Sequence, residues 1–217
     1  MGGDGQALSN KRRVLESSKV FVTADELRKE EGKDSDAVQS IKERNAQRWS
    51  HCTLSLEPFE IPVVFDLCGR LYSKRILLDD ILRRKRHATP KEKDSNSGVC
   101  ITRLSDVCEI SNIEEGEKVV IRCPLTGFDA SYGLHTFVGF WGCGHVLCVS
   151  SCEKLIKSNE TKLLDSSEEP VVIPCPFCGE DSFPVPLVLG SEDDEVEQFR
   201  RLRPLQRMFT KRKRSEK

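Results

Sequence analysis

Four residues in two short turns have the types and spacing of a metal site. Cys143-Gly144-His145 offers a thiol and an imidazole two residues apart, and Cys175-Pro176-Phe177-Cys178 offers two thiols three residues apart. Zinc takes four sulfur or nitrogen ligands in a tetrahedron, and a Cys-x-x-Cys turn aims both thiolates at one ion about 2.3 Å away. Cys143, His145, Cys175 and Cys178 are therefore read as the ligands of one structural zinc ion. An isolated cysteine is more often a small buried hydrophobe than a ligand, but two such turns in one segment favour metal. A closed four-ligand site leaves no position for a reacting water. The chain holds no further nucleophile and base in a catalytic pattern, so no catalytic residue is expected.

The flanking cysteines extend this pattern toward the interleaved, two-metal layout of a RING. There the first and third ligand pairs hold one ion, and the second and fourth pairs hold the other. Cys143/His145 and Cys175/Cys178 are the second and fourth pairs. The first pair is Cys123 with Thr126 in place of a cysteine, and the third is Cys148 with Cys152, one residue wider than usual. A neutral hydroxyl gives up its proton far less readily than a thiol. The site of Cys123, Cys148 and Cys152 is thus expected to be degenerate and held by packing, so one zinc per chain is expected. The alternative is a second ion on Cys123, Cys148, Cys152 and His135.

These turns need a scaffold, and composition bounds it. With 217 residues, 37% hydrophobic and 32% charged, and a net charge of −1, the chain suits small cores with extensive solvated surface. The ten cysteines sit in metal-ligand spacings and no apolar signal stretch opens the chain, which points to a reducing compartment. No apolar run approaches the roughly 20 residues that span a bilayer, so a soluble protein is expected.

The expected class is α+β, with two small RING/U-box-like ββα modules, the second zinc-binding, a helical N-terminal segment and a charged flexible C-terminal tail. Residues 1–48 are read as a tail and helical segment. Thr23-Ala24-Asp25-Glu26 has the form of a capping box, and helical spacing returns from Ser35 to Trp49. Residues 49–88 read as loop, strand, turn, strand and helix, with Ile76, Leu77, Leu78, Ile81 and Leu82 on one apolar face. This half resembles a metal-free U-box, with Cys52 and Cys68 as packed residues. Arg83-Arg84-Lys85-Arg86 ends its helix, where cations complement the dipole. Such a run can also contact phosphates without base specificity, because no aromatic residue is interleaved. Residues 89–118 are read as linker and strand, 119–190 as the RING-like module, and 191–217 as an acidic then basic tail. Within that tail, Phe199, Leu202, Leu205, Met208 and Phe209 have helical spacing, against which Pro204 counts. Lys211-Arg212-Lys213-Arg214 has the form of a nuclear import signal, so a nuclear location is expected.

Several of these pieces occur together in one family. Trp49-Ser50-His51-Cys52-Thr53-Leu54-Ser55, Gly69-Arg70-Leu71-Tyr72-Ser73-Lys74, Cys123-Pro124-Leu125-Thr126-Gly127 and the two later knuckles resemble the replication termination factor 2 family from Met1 to about Val188. Gly5-Gln6-Ala7 and the Cys143-Gly144-His145 turn depart from its usual pattern. The resemblance implies a nuclear protein at stalled or terminating replication forks, with links to pre-mRNA splicing and to ubiquitin or proteasome pathways. The partners it implies are replication-fork proteins, then ubiquitin-conjugating enzymes or proteasome shuttle factors, then spliceosomal proteins. Nucleic-acid contact, where made, is expected to lack sequence specificity, and no membrane partner is expected.

A RING ligase works by positioning a conjugating enzyme rather than by covalent chemistry of its own. Leu125 and Pro176, and Leu54 in the U-box-like half, are the residues suited to such docking. Gly179 stands where ligases usually carry a cation. The preferred reading is therefore an adaptor. The alternative is a RING-type E3 ubiquitin or SUMO ligase, and the third reading is a splicing-associated structural factor.

Overall fold

A computed structural model describes residues 40–87, 101–116, 118–155 and 171–215. The expected capping box at Thr23 lies outside them. The chain divides between positions 41 and 42; of the first part only positions 40 and 41 are described, and the described residues from 42 onward form one compact unit. Among the described residues no helix is long and apolar enough to cross a membrane.

The class is mixed α and β with several small antiparallel sheets. Residues 40–50 are helical (α1), and Trp49 at its end is 3% exposed. β1 (Val63–Asp66) and β2 (Leu71–Ser73) form a hairpin that runs directly into α2 (Lys74–His87). Both strands are buried throughout, which explains why Val63-Val64-Phe65 is apolar without alternation. β3 (Val107–Glu109) pairs antiparallel with the other side of β1, giving the order β2-β1-β3. The segment read as linker and strand thus contributes a strand to the first module's sheet, while its residues 89–100 lie outside the described ones.

β4 (Ile113–Glu114) and β5 (Val120–Ile121) form a small ribbon. The second ββα unit is β6 (Phe137–Trp141), β7 (Val146–Cys148) and α3 (Val149–Leu155). The hairpin of β8 (Ile173–Pro174) and β9 (Asp181–Pro186) adds to β6, in the order β7-β6-β9-β8.

The two ββα units share their core. Trp49 meets Phe137 edge-on at 5.2 Å between ring centroids, and Phe65 meets Trp141 at 5.7 Å. Gly139 lies so close to Phe65 that an added Cβ would stand 2.8 Å from its ring. Side chains from both halves and from the last helix fill one apolar cluster.

The C-terminal segment differs from expectation. Instead of a flexible tail, residues Glu192–Ser215 form a 24-residue helix, α4, with Pro204 inside it. Leu202 is 1% and Leu205 7% exposed, and Phe209 meets Phe183 edge-on at 5.3 Å. Packing on either side of Pro204 outweighs the backbone hydrogen bond that proline removes. The acidic block marks the start of the helix: Ser191 Oγ accepts the Asp193 amide at 3.2 Å, and Glu192 to Glu195 lie in the first turn, where the dipole favours anions.

Candidate metal centre

Sheet register brings the two ligand turns together. Trp141 pairs with Phe183, and Asp181, two residues earlier on β9, pairs with Pro174. The turn after Trp141 therefore lies beside the turn after Pro174. Cys143 and His145 project from the first, and Cys175 and Cys178 from the second, with ligand atoms all within 4.8 Å of one another. Tetrahedral zinc thiolates stand about 3.8 Å apart, so a small contraction closes the shell. Gly144 is essential to the first turn. Its φ is +79°, and a Cβ there would lie 2.0 Å from the Glu109 carbonyl oxygen.

The electrostatics of the group suit a dication. Burial pushes the Cys143 thiol up to about 12, and the neighbouring Cys175 adds to the effect. Burial also raises Cys175 and lowers His145, keeping the imidazole in its neutral, ligating form. The buried Nδ1 of His145 has no hydrogen-bond partner among the described residues, although such atoms are nearly always satisfied. A bound cation would take up that lone pair and offset the burial of the Cys143 and Cys175 thiolates. Ser182 Oγ, 3.6 Å from Cys143 Sγ, and the Phe177 ring, 4.8 Å from the His145 ring, flank the group. These residues could hold a metal ion and fit one chemically.

The Cys175 knuckle is one of three turns built alike. The amide of the fifth residue donates to the first cysteine's carbonyl at 2.8 Å in Cys52–Leu56, Cys123–Gly127 and Cys175–Gly179. Each cysteine amide also donates to the carbonyl of the sixth residue, Glu57, Phe128 or Glu180, at 2.8, 2.9 and 2.8 Å. The fifth residues all have positive φ, 59°, 71° and 76°. At the fourth position stand Ser55, Thr126 and Cys178, so only the third turn keeps a second thiol. At the third position Leu54, Leu125 and Phe177 are 44%, 37% and 48% exposed. In sequence the turn at Cys52 carries this likeness as a Cys-x-Leu-Ser echo of Cys-x-Leu-Thr and Cys-x-Phe-Cys, but without a second thiol it lacks the signal that marks a knuckle.

Around Cys123 the structure places hydrogen bonds. The Cys148 amide donates to Cys123 Sγ at 3.3 Å, and Ser151 Oγ lies 3.9 Å away. Burial alone would raise the Cys123 thiol, but donors from Thr126 and the backbone amides of Cys148 and Leu125 outweigh it and hold it below its ordinary value. Cys148 Sγ lies 3.2 Å from Ser150 Oγ, and burial pushes Cys152 up to about 12. His135 stands apart from them, stacked on Phe128. Among the described residues no second group of three or more ligand-type side chains gathers.

Of the other expected sites, Leu54 and Leu125 are exposed at their turn tips and Pro176 is half-buried. Arg83 and Arg84 pair with Asp80 at 3.0 and 2.6 Å. The run Lys211 to Arg214 falls in the last turns of α4, and its side chains lie outside the described residues.

The Rtf2 RING-finger family model matches residues 1–217. The chain is similar to the splicing factor rtf2 of Schizosaccharomyces pombe, 29% identical over 179 residues, covering 80% of this chain and 65% of that protein. It is also similar to the replication termination factor 2 of Gallus gallus, 27% identical over 191 residues, covering 80% of this chain and 56% of that protein. The match therefore spans less than two thirds of these relatives' length.

Proposed function

The chain belongs to the Rtf2 RING-finger family, and from that premise we propose a nuclear adaptor that acts at stalled or terminating replication forks through protein–protein contacts of its two ββα modules. One zinc ion on Cys143, His145, Cys175 and Cys178 would clamp the second module. The observation that carries this reading is the set of three knuckle turns, in which one ligand pair is kept and the other two are replaced by hydroxyl-bearing packing. A frame retained with only part of its metal chemistry favours presentation of surfaces over catalysis. The turn tips Leu54, Leu125 and Phe177 are exposed apolar side chains on rigid turns, a usual mark of interaction sites.

Recovery of the tagged protein with newly replicated DNA tests this, by comparing stalled with running forks in nuclear extract. Enrichment at stalled forks supports the adaptor. Recovery with spliceosomal subunits alone replaces it with the splicing reading that the fission-yeast relative's name carries.

A RING-type ligase is the second reading, favoured by the exposure of Leu125 beside Cys123 and of Cys178 beside Pro176. Ubiquitin or SUMO chains formed with a panel of conjugating enzymes and abolished by Leu125→Ala would establish it. Gly179 after the last cysteine offers no cation to hold the transferred protein, which favours the adaptor.

A further inference from the structure

The loop between β5 and β6 spends apolar side chains on solvent while being held rigidly. Phe128 is 41%, Tyr132 67% and Leu134 61% exposed. Beneath them Ala130 is fully buried, and Asp129 Oδ1 accepts from the Ser131 amide at 2.8 Å and its hydroxyl at 2.6 Å. Gly133 seats against α1, where a Cβ would lie 2.8 Å from the Lys42 carbonyl oxygen. The backbone that carries these exposed side chains is thus held by the fold. They line a cavity of about 300 Å³ with Arg122, Asp129 and His135, at the small end of ligand-pocket sizes.

Three features of this cavity select its ligand. Phe128 and His135 are nearly parallel, stacked at 4.2 Å with 7° between their planes, so a further flat ring can extend the stack. Arg122, 43% exposed at its side chain, pairs with Glu114 through Nη1, and among the described residues its other guanidinium donors have no partner and can meet an anion. Both bonds from Ser131 fall on Asp129 Oδ1, leaving Oδ2 as an acceptor for a ring N–H or amino group. A methylated ammonium would need rings set at angles around it and would meet the like charge of Arg122. An aliphatic side chain would leave Arg122 and Asp129 unused.

We propose that the cavity of Phe128, Tyr132 and His135 binds an unstacked base of single-stranded nucleic acid, with Arg122 at the adjoining phosphate. Stacking on aromatic rings with a cation on the backbone is the common physics of single-strand recognition. It places nucleic-acid contact on the second module rather than on the basic end of α2.

The test is fluorescence anisotropy of the full chain with labelled ten-nucleotide oligo-A and oligo-U, each as RNA and as DNA, at fixed low salt. Expected is saturable binding that Phe128→Ala with Tyr132→Ala weakens about tenfold or more, with an unchanged melting temperature because both rings are exposed. The RNA and DNA arms identify the strand type. The proposal is overturned if no oligonucleotide binds, if the double variant binds like the parent, or if Arg83→Ala with Arg86→Ala alone abolishes binding. It is also overturned if only a trimethyl-lysine peptide binds and the double variant loses it.

Discussion

Glu195, in the first turn of the last helix, accepts the Nε of Arg70 at 2.6 Å, across 125 residues of sequence. The same carboxylate, 2% exposed, also accepts from Arg48 at the end of α1. Gln198, one turn on, donates to the Leu67 carbonyl at 2.8 Å and to the Pro186 carbonyl at 3.0 Å. One face of α4 thus joins the turn of the first module to the last strand of the second.

Glu195→Ala leaves two guanidinium groups facing a buried vacancy. Both are about one third exposed and can recruit water, which moderates the loss. A destabilisation of about 2 kcal/mol is expected, read as a lower denaturant midpoint with unchanged slope. A midpoint within experimental scatter of the parent's would mean that the pairing contributes nothing.

Gly69 stands at φ +79° in the turn of the first module, as Gly144 does in the second, and an added Cβ would lie 2.3 Å from the Pro186 carbonyl oxygen. Gly69→Ala combines left-handed strain with a clash against backbone. A loss of about 3 kcal/mol is expected, and a melting temperature equal to the parent's would show that the modules are not packed this closely.

Asp66 is buried beneath the Tyr72 hydroxyl, which donates to it at 3.0 Å. Burial raises its carboxyl from 3.8 to about 6, against the lowering effect of the Arg70 amide and Tyr72. A folded pKa above the unfolded one means that the native state binds the extra proton. The contribution is full below about 3.8 and is lost as pH rises through about 6. Its size is on the order of 3 kcal/mol. The difference in unfolding free energy between parent and Asp66→Asn should therefore change across that window. Parallel stability curves from pH 4 to 7 would contradict the assignment.

Removal of metal should act on the second module. One zinc per chain is expected by metal analysis, and chelation should lower the melting temperature by 10 °C or more, given how much folding energy a structural site supplies. His145→Ala should lower the metal content, while Thr126→Ala should not. Two zinc ions per chain would instead point to a second site at Cys123.

Leu202 is 1% exposed on the buried face of α4. Leu202→Ala should cost about 3 kcal/mol, whereas Met208→Ala, at a position 56% exposed, should cost under about 0.5 kcal/mol. Equal effects at both positions would return this segment to the status of a solvated tail.

The residue types and their spacing determined that Cys143 with His145 and Cys175 with Cys178 are ligand pairs, because ligand chemistry and turn spacing are local properties, whereas the register of β6, β9 and β8 brings the two pairs together. The strand–turn–strand–helix order of the first half was legible for the same reason. Only tertiary structure decided that Phe65 packs on Trp141, that Val107 to Glu109 pair with β1, and that Glu195, from an acidic stretch which reads as solvated, is drawn onto Arg48 and Arg70. Those outcomes rest on contacts between residues far apart in the chain. Local spacing carries no record of such a contact, and the free energy that selects it exists only once both surfaces are formed.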